Sequence, residues 1–316
     1  MRRLAKAFLG ALLGWLARLS PRRVGVALLY HGIADDDRPR ADVLVPAMSP
    51  ALFAGQLALL THHYKLVPAS ALLAAIAARR PGGRIPVAIT FDDDDHTHPR
   101  TAAPLLRDAG ATATFFVNAE SLDDPQPLWW QQLQRAWDER AVDTELLALT
   151  GLPPGPDRHR LGRIGSAITQ QRPEQRELIR AALRERVGED PALDGLSREE
   201  LRELAEAGFE LGCHTARHDF LPVLTPAELE GSVRSGRDEI EAVAGAPARV
   251  FAYPSGGWDG TARAAVEGAG YAAAFTARGG VITPKSDPFA LPRISPPIGN
   301  IAELSYVLAR TLWETK

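Results

Sequence analysis

The stretch VAITFDDDDHTHPR, Val87–Arg100, carries an apolar run suited to a buried strand straight into four aspartates and two histidines. Adjacent carboxylates repel one another, and a strand that enters a core does not end in so much like charge without compensation. Two readings are open from these residues alone: a solvated turn, or a place where something positive sits.

Outward from this stretch, strand-like and helix-like runs alternate. Upstream, VGVALLYH (Val24–His31) is a short apolar run of strand type. In SPALFAGQLALLTHHY, Ser49 is a cap, Pro50 the first helical residue, and Leu52, Phe53, Leu57 and Leu60 follow at helical spacing. YKLVP and SALLAAIAARR then read as strand and helix. Downstream, RTAAPLLRDAG reads as a helix closed by Gly110, and ATATFFVN as a strand.

From about residue 125 to 196 the pattern changes: LWWQQLQRAWDER and EQRELIRAALRERVG, both helical, flank the polar GLPPGPDRHRLG. This is a helical insertion, a subdomain or lid, within a body spanning 23–316. Alternation resumes with SREELRELAEAG, FELGCHT, TPAELEGSVRSGRDEIEAVAG, RVFAYP, GTARAAVEGAG, YAAAFT and the final helix AELSYVLARTLW. Such alternation favours an α/β fold of parallel strands covered by helices, as an open sheet or a barrel.

The bulk numbers agree: 316 residues, 45% apolar and 24% charged, suffice for one large domain with a substantial core. A net charge of −3 gives no electrostatic argument for nucleic acid. Cys213 is the single cysteine, so no intrachain disulfide forms. Residues 1–22 form an apolar segment with basic flanks, whose uninterrupted core, Ala7–Ala17, is too short to span a bilayer. It fits a signal-peptide core, a helix lying on a membrane surface through residues 1–20, or a helix packed on the domain. No small-x-small cleavage site follows, and a cytoplasmic or membrane-associated location is preferred to export.

In parallel α/β folds, ligands gather where strands end. Here His31 follows VALLY, Asp92 and Asp93 follow VAITF, His214 follows FELGC, and PSGG follows RVFAY. His214 and His218 in HTARH are four apart, so one helical turn would bring both imidazoles to the same side. Neutral imidazole is a common ligand for zinc and similar ions, and one carboxylate from the aspartate run would complete a facial set. A pair of surface histidines is the competing reading.

The order TFDD, HTARH, FAYPSGG, each at a strand end, resembles the polysaccharide deacetylases, carbohydrate esterase family four. MSPALFAGQLALLTHHYKLVP, LRELAEAGFELGCHTARH, LLYHG and LPRI extend the likeness over most of Val24–Ile294. The resemblance implies a distorted (β/α) barrel of about seven strands that removes N-acetyl groups from an oligo- or polysaccharide with a divalent metal. Zinc is the expected ion; cobalt, nickel or iron also suit such donors.

The family's metal ligands correspond to Asp93, His214 and His218, and its catalytic base, which takes a proton from the hydrolytic water, to Asp92. Successive residues on a strand face opposite sides, so both aspartates serve one centre only if the backbone turns there. The YPSGG motif implies substrate contacts at Tyr253, Pro254, Ser255 and Gly256, with an oxyanion held by a backbone N–H near Ser255. Many relatives place the acid histidine near the C-terminus. No histidine follows His218 here, and Tyr30-His31 resembles the YH motif of exopolysaccharide deacetylases, so His31 is the candidate acid.

Asp94 stands where the family usually has glycine, a replacement suited to unusual backbone angles. Ala252 stands where an arginine often holds the catalytic aspartate ionised; Arg293 in LPRI is the candidate replacement. His98 is a further candidate substrate contact, with a solvated turn as its alternative. Trp258 is a candidate wall residue for a sugar ring, and Trp129 is assigned to packing. Two other functions stay open: a non-catalytic carbohydrate-binding relative, and a metal amidohydrolase acting on a non-sugar amide.

Overall fold

The computed structural model describes residues 2–34, 43–119, 122–123, 125–153, 160–190 and 195–314. Its strands are β1 (Val26–Tyr30), β2 (Lys65–Leu66), β3 (Pro86–Asp92), β4 (Thr114–Val117), β5 (Glu210–Cys213), β6 (Val250–Ala252), β7 (Ala273–Phe275) and β8 (Arg293–Ile294). Seven of them follow one another in the order β7-β6-β5-β4-β3-β1-β8, all pairings parallel, and β2 adds to the start of β3. Leu291, just before β8, bridges Phe275 of β7. Its backbone exchanges hydrogen bonds of 2.8 and 2.9 Å with Thr276 and Ala274. The sheet is thus a nearly closed seven-stranded barrel, the fold class that the family resemblance implies.

The two faces of the strands explain the closure. Ala27, Ala88, Ala252 and Ala273 point inward with Phe116, Phe275 and Leu291. Small side chains leave room in a narrow barrel for the two phenyl rings, whose centroids are 5.7 Å apart. Gly212 of β5 serves the same end, because a Cβ there would lie 2.6 Å from the Phe116 ring. The alternate residues, among them Leu28, Ile89, Phe91 and Phe115, point outward into the larger apolar layer beneath the helices.

The covering helices are α1 (Arg2–Leu19), α2 (Pro50–His63), α3 (Leu72–Ala77) and α4 (Ala103–Asp108), then α5 (Trp129–Asp138), α6 (Thr144–Thr150), α7 (Arg160–Thr169) and α8 (Pro173–Val187). They continue with α9 (Arg198–Glu206), α10 (Pro226–Ala244), α11 (Gly260–Gly268) and α12 (Ile301–Leu312). Their starts are written locally: Ser49 Oγ accepts from Leu52 N ahead of Pro50, and Ser197/Glu200 and Thr225/Glu228 form capping boxes. Helices α5–α8 interrupt the barrel between β4 and β5. They close on an apolar cluster of their own, centred on Leu133, Leu146, Ile164, Ile168, Ile179 and Leu183.

Helix α1 lies against α12, with Ala17 buried and Gly10 close to Ser305. Arg79 closes its C-terminus by donating to the carbonyls of Ala17, Arg18, Ser20 and Arg22. Among the described residues no helix is long and apolar enough to cross a membrane.

Candidate active site

Three of the four aspartates that open the question have hydrogen-bond partners of their own, and Asp93 lies between two imidazoles. Asp92 is the last residue of β3 and shares the inward face with Ala88 and Thr90. Arg293 reaches it from β8 with two hydrogen bonds, Nη1 to Oδ1 at 2.5 Å and Nη2 to Oδ2 at 2.6 Å. The same guanidinium donates to Thr276 O at 3.0 Å and to Thr90 Oγ1 at 3.2 Å, and it lies over the Phe116 ring. Burial pushes the Asp92 carboxyl up, but the Arg293 charge and hydrogen bonds, with His214 and His31, outweigh it and hold the pKa at about 2.

Asp93 would face outward if the strand continued. Instead its φ is +76°, a left-handed residue that swings its carboxylate back to the rim. The unusual backbone angle therefore sits at Asp93 and not at Asp94. Asp94 accepts the Asn118 N–H at 2.6 Å through its side chain and the Leu196 N–H at 3.0 Å through its carbonyl. Asp95 accepts from Thr97 N and Thr97 Oγ1 at 2.8 and 2.5 Å. The run is therefore not a solvated turn: Asp92, Asp94 and Asp95 are paired, and Asp93 alone faces the cavity between two imidazoles.

His214 follows β5, and its Nδ1 donates to Ala252 O at 2.8 Å. A carbonyl only accepts, so this bond leaves the Nε2 lone pair free to face the site. Nε2 lies 3.5 Å from Asp93 Oδ1, and His218 Nε2 lies 3.4 Å from the same oxygen. The helical turn expected for HTARH is not formed. Residues 215–217 make a turn in which Thr215 (φ +68°) and His218 (φ +55°) are both left-handed, and the imidazoles converge through that reversal.

The strained turn is held from outside the barrel. Arg176 of α8, buried, donates to the carbonyls of His218 (2.9 Å) and Arg217 (3.2 Å) and pairs with Asp219 at 2.5 Å. Asp219 in turn accepts from Ser232 Oγ at 2.7 Å, and its N–H donates to Thr215 Oγ1 at 3.1 Å. The Trp130 ring of α5 lies 4.8 Å from the His218 ring. The helical insertion thus braces the second histidine.

One donor atom from each of Asp93, His214 and His218 lies within 4.8 Å of the others. Two ligands about 2.05 Å from one tetrahedral ion sit about 3.3 Å apart, close to the two spacings seen here. Asp93 Oδ1 is buried with no hydrogen-bond partner. Burial, then the charges of Asp92, Asp94 and Asp95, raise the Asp93 carboxyl well above its usual range, which a cation would reverse. Burial lowers His214 to about 4 and, with the charges of His214 and Arg176, pushes His218 well below its ordinary value, so both are in the neutral, ligating form. An orphaned carboxylate oxygen between two neutral imidazoles fits a divalent ion.

A cavity of about 650 Å³ opens on this cluster. His31, Asp92, Asp93, His214, His218, Ser255 and Gly256 line it from the barrel, and Trp129, Trp130, Gly165, Ser166 and Thr169 from the insertion. Burial lowers the His31 pKa, the Asp92 charge opposes this, and Arg293 adds to it.

The structure turns several expected substrate contacts away. Tyr253 is buried, its hydroxyl donating to Phe289 O at 3.0 Å, and Trp258 stacks on it with centroids 5.9 Å apart. Pro254 is buried beside them and does not line the cavity. His98 is fully buried against the Phe91 and Phe115 rings on the outward face of the barrel. Trp129 is buried in the insertion's core as assigned and also lines the cavity, while Trp258 does not line it. The face of α7 was missed, although Gly162, Gly165, Ser166 and Thr169 recur at helical spacing. Arg176 carried no local signal.

At the rim of the seven-stranded barrel, an Asp-His-His cluster that could hold a metal ion lies beside a guanidinium-held aspartate. The family sequence profile described as polysaccharide deacetylase matches residues 79–146 and 164–274, more than half of the chain, and the chain belongs to that family. The fold is similar to a Streptococcus pyogenes deacetylase, PplD, in complex with acetate: TM-score 0.64, 16% identity, covering 92% of this chain and 99% of that one. It is also similar to IcaB from Ammonifex degensii (0.60, 20%, 90% and 97%) and to a de-N-acetylase from Aggregatibacter actinomycetemcomitans (0.58, 14%, 88% and 96%). No curated protein matches the sequence.

Proposed function

We propose that this protein hydrolyses N-acetyl groups on sugar units of a glycan, with Asp93, His214 and His218 holding a divalent ion, zinc in the first instance. The carrying observation is the convergence of these three side chains beside the Arg293-paired Asp92 at the floor of one cavity. The ion, when bound, supplies a Lewis acid that polarises the acetyl carbonyl and acidifies water.

The protein's own residues do the rest. Asp92 is the base: Arg293 keeps it anionic and oriented, so it accepts a proton from the attacking water. His31, at the end of the neighbouring β1 and lining the same cavity, would return a proton to the departing amine, which cannot leave as an anion. Its lowered pKa makes it a readier donor once protonated. Ser255, left-handed at φ +54°, and Gly256 form the wall against which the acetyl group rests. Trp129 and Trp130, which line the cavity from the insertion, suit the C–H faces of a sugar ring.

The test is acetate release from N-acetylglucosamine oligomers. It should vanish with chelator, return with zinc or cobalt, and be lost in Asp92→Asn. Turnover that resists chelation, or that survives Asp92→Asn, contradicts the mechanism. Release only from non-sugar amides contradicts the substrate class.

A further inference from the structure

The face of α1 that does not pack on α12 is apolar and open. Leu12, Trp15, Leu16 and Leu19 recur at i, i+3, i+4 and i+7, with Leu9 one turn earlier, and all five are exposed, Trp15 the most at 57%. Trp313 continues the patch from the end of α12; it is 39% exposed, and its Nε1 donates to Leu13 O at 3.1 Å. A helix that buries one side and leaves five large apolar residues on the other forms a contiguous patch of the kind that marks an interaction surface.

The rim of the patch is basic. Arg18 Nε donates to Gly82 O at 2.9 Å, which docks the end of α1 onto the loop carrying Arg80 and Arg84. Arg22 lies over the Trp313 ring at 5.5 Å, and Arg23 follows it. Arg18, Arg23, Arg80 and Arg84 are exposed, and none of these five arginines forms an ion pair with a carboxylate among the described residues. On a chain of net charge −3, so many unpaired cations around one apolar stripe are a local excess.

We infer that this face docks on the surface of an anionic phospholipid bilayer, with Leu12, Trp15, Leu16 and Leu19 entering the interface and the arginines meeting headgroup phosphates. A second copy of the chain is disfavoured by charge. A two-fold interface sets the same patch against itself and brings five arginines onto five. Bilayer phosphate supplies the opposite sign, and tryptophan with leucine beside basic residues is the composition of an interfacial helix. The arginines sit at strand beginnings, before β1 and β3, whereas His31 and Asp92 sit at the ends of those strands. Docking by this face therefore leaves the cavity mouth in solvent.

Flotation of the full-length protein with vesicles tests this. Phosphatidylcholine vesicles carrying about one-third phosphatidylglycerol should carry the protein up, and pure phosphatidylcholine should bind it far more weakly. Arg23→Gln/Arg80→Gln/Arg84→Gln should weaken binding about a hundredfold, at about fivefold per arginine near a charged surface. Trp15→Ser/Leu19→Ser should weaken it at least as much, with an unchanged melting temperature because both residues are exposed. Failure to float, equal binding to both lipid mixtures, or unimpaired variants overturn the inference. So does a concentration-dependent dimer in sedimentation that Trp15→Ser/Leu19→Ser abolishes, which assigns the stripe to a second copy.

Discussion

Replacing Arg293 by methionine keeps much of the stem's volume and removes the guanidinium. It deletes both hydrogen bonds to Asp92, at 2.5 and 2.6 Å, together with those to Thr276 O and Thr90 Oγ1. The pair is buried inside the barrel, where removing one partner costs about 3–5 kcal/mol because the other charge is left unpaired. Part of that is linked to pH. Asp92 is held at about 2 against an ordinary 3.8, worth about 2.5 kcal/mol at 1.36 kcal/mol per unit. A folded-state value below the unfolded one means that this share is fully present above about pH 4 and is lost as pH falls through about 2. In Arg293→Met the sign reverses: burial, the largest influence on Asp92, no longer has the guanidinium against it, and the carboxyl rises above its unfolded value. The variant's stability should then fall as pH rises from about 4 toward neutrality. Urea unfolding of chelator-treated protein at several pH values measures both effects. Asp92→Asn/Arg293→Met should recover much of the loss, since no charge is stranded. A single variant within about 1 kcal/mol of the parent, stability flat from acid to neutral pH, or strictly additive losses in the double variant would refute the reasoning.

Other outcomes follow from the same geometry. His31→Ala should lower acetate release about 10²–10⁴-fold while leaving zinc affinity unchanged; a matching fall in affinity would move His31 out of the acid role. Arg176→Ala should weaken zinc binding about 10–100-fold by freeing the His218 turn, read by competition with a chromogenic chelator, and Arg176→Lys should restore only part. An Arg176→Ala protein that binds zinc like the parent would leave the brace without consequence for the site. Gly212→Ala forces a Cβ to within 2.6 Å of the Phe116 ring and should cost about 1–3 kcal/mol in denaturation. A neutral result there would show that the barrel interior has slack.

The site was legible wherever chemistry is concentrated at a strand end. TFDD, HTARH and YH carry their residue types at adjacent or closely spaced positions, and parallel strands deliver such ends to one rim. The substrate wall was less so. Tyr253, Pro254, Trp258 and His98 sit beside chemically active positions, yet their side chains point into packing, because near neighbours in sequence alternate between the rim and the layer beneath. Trp129 packs as assigned and also lines the cavity, since an aromatic residue on a helix covering a site can do both. Arg176 is 42 residues from His218 and 43 from Asp219, a separation at which no local pattern pairs them.

By itself the sequence determined the alternation of strands and helices, the caps that start the helices and the inventory of candidate ligands and bases, because these depend on residue type and short spacing. Only the tertiary structure decided that Asp93 turns left-handed to meet two imidazoles, that Arg293 lands on Asp92 from 201 residues away, and that the inserted helices brace His218. Those outcomes depend on barrel closure and burial, which couple distant residues through space and impose backbone angles that local preference disfavours.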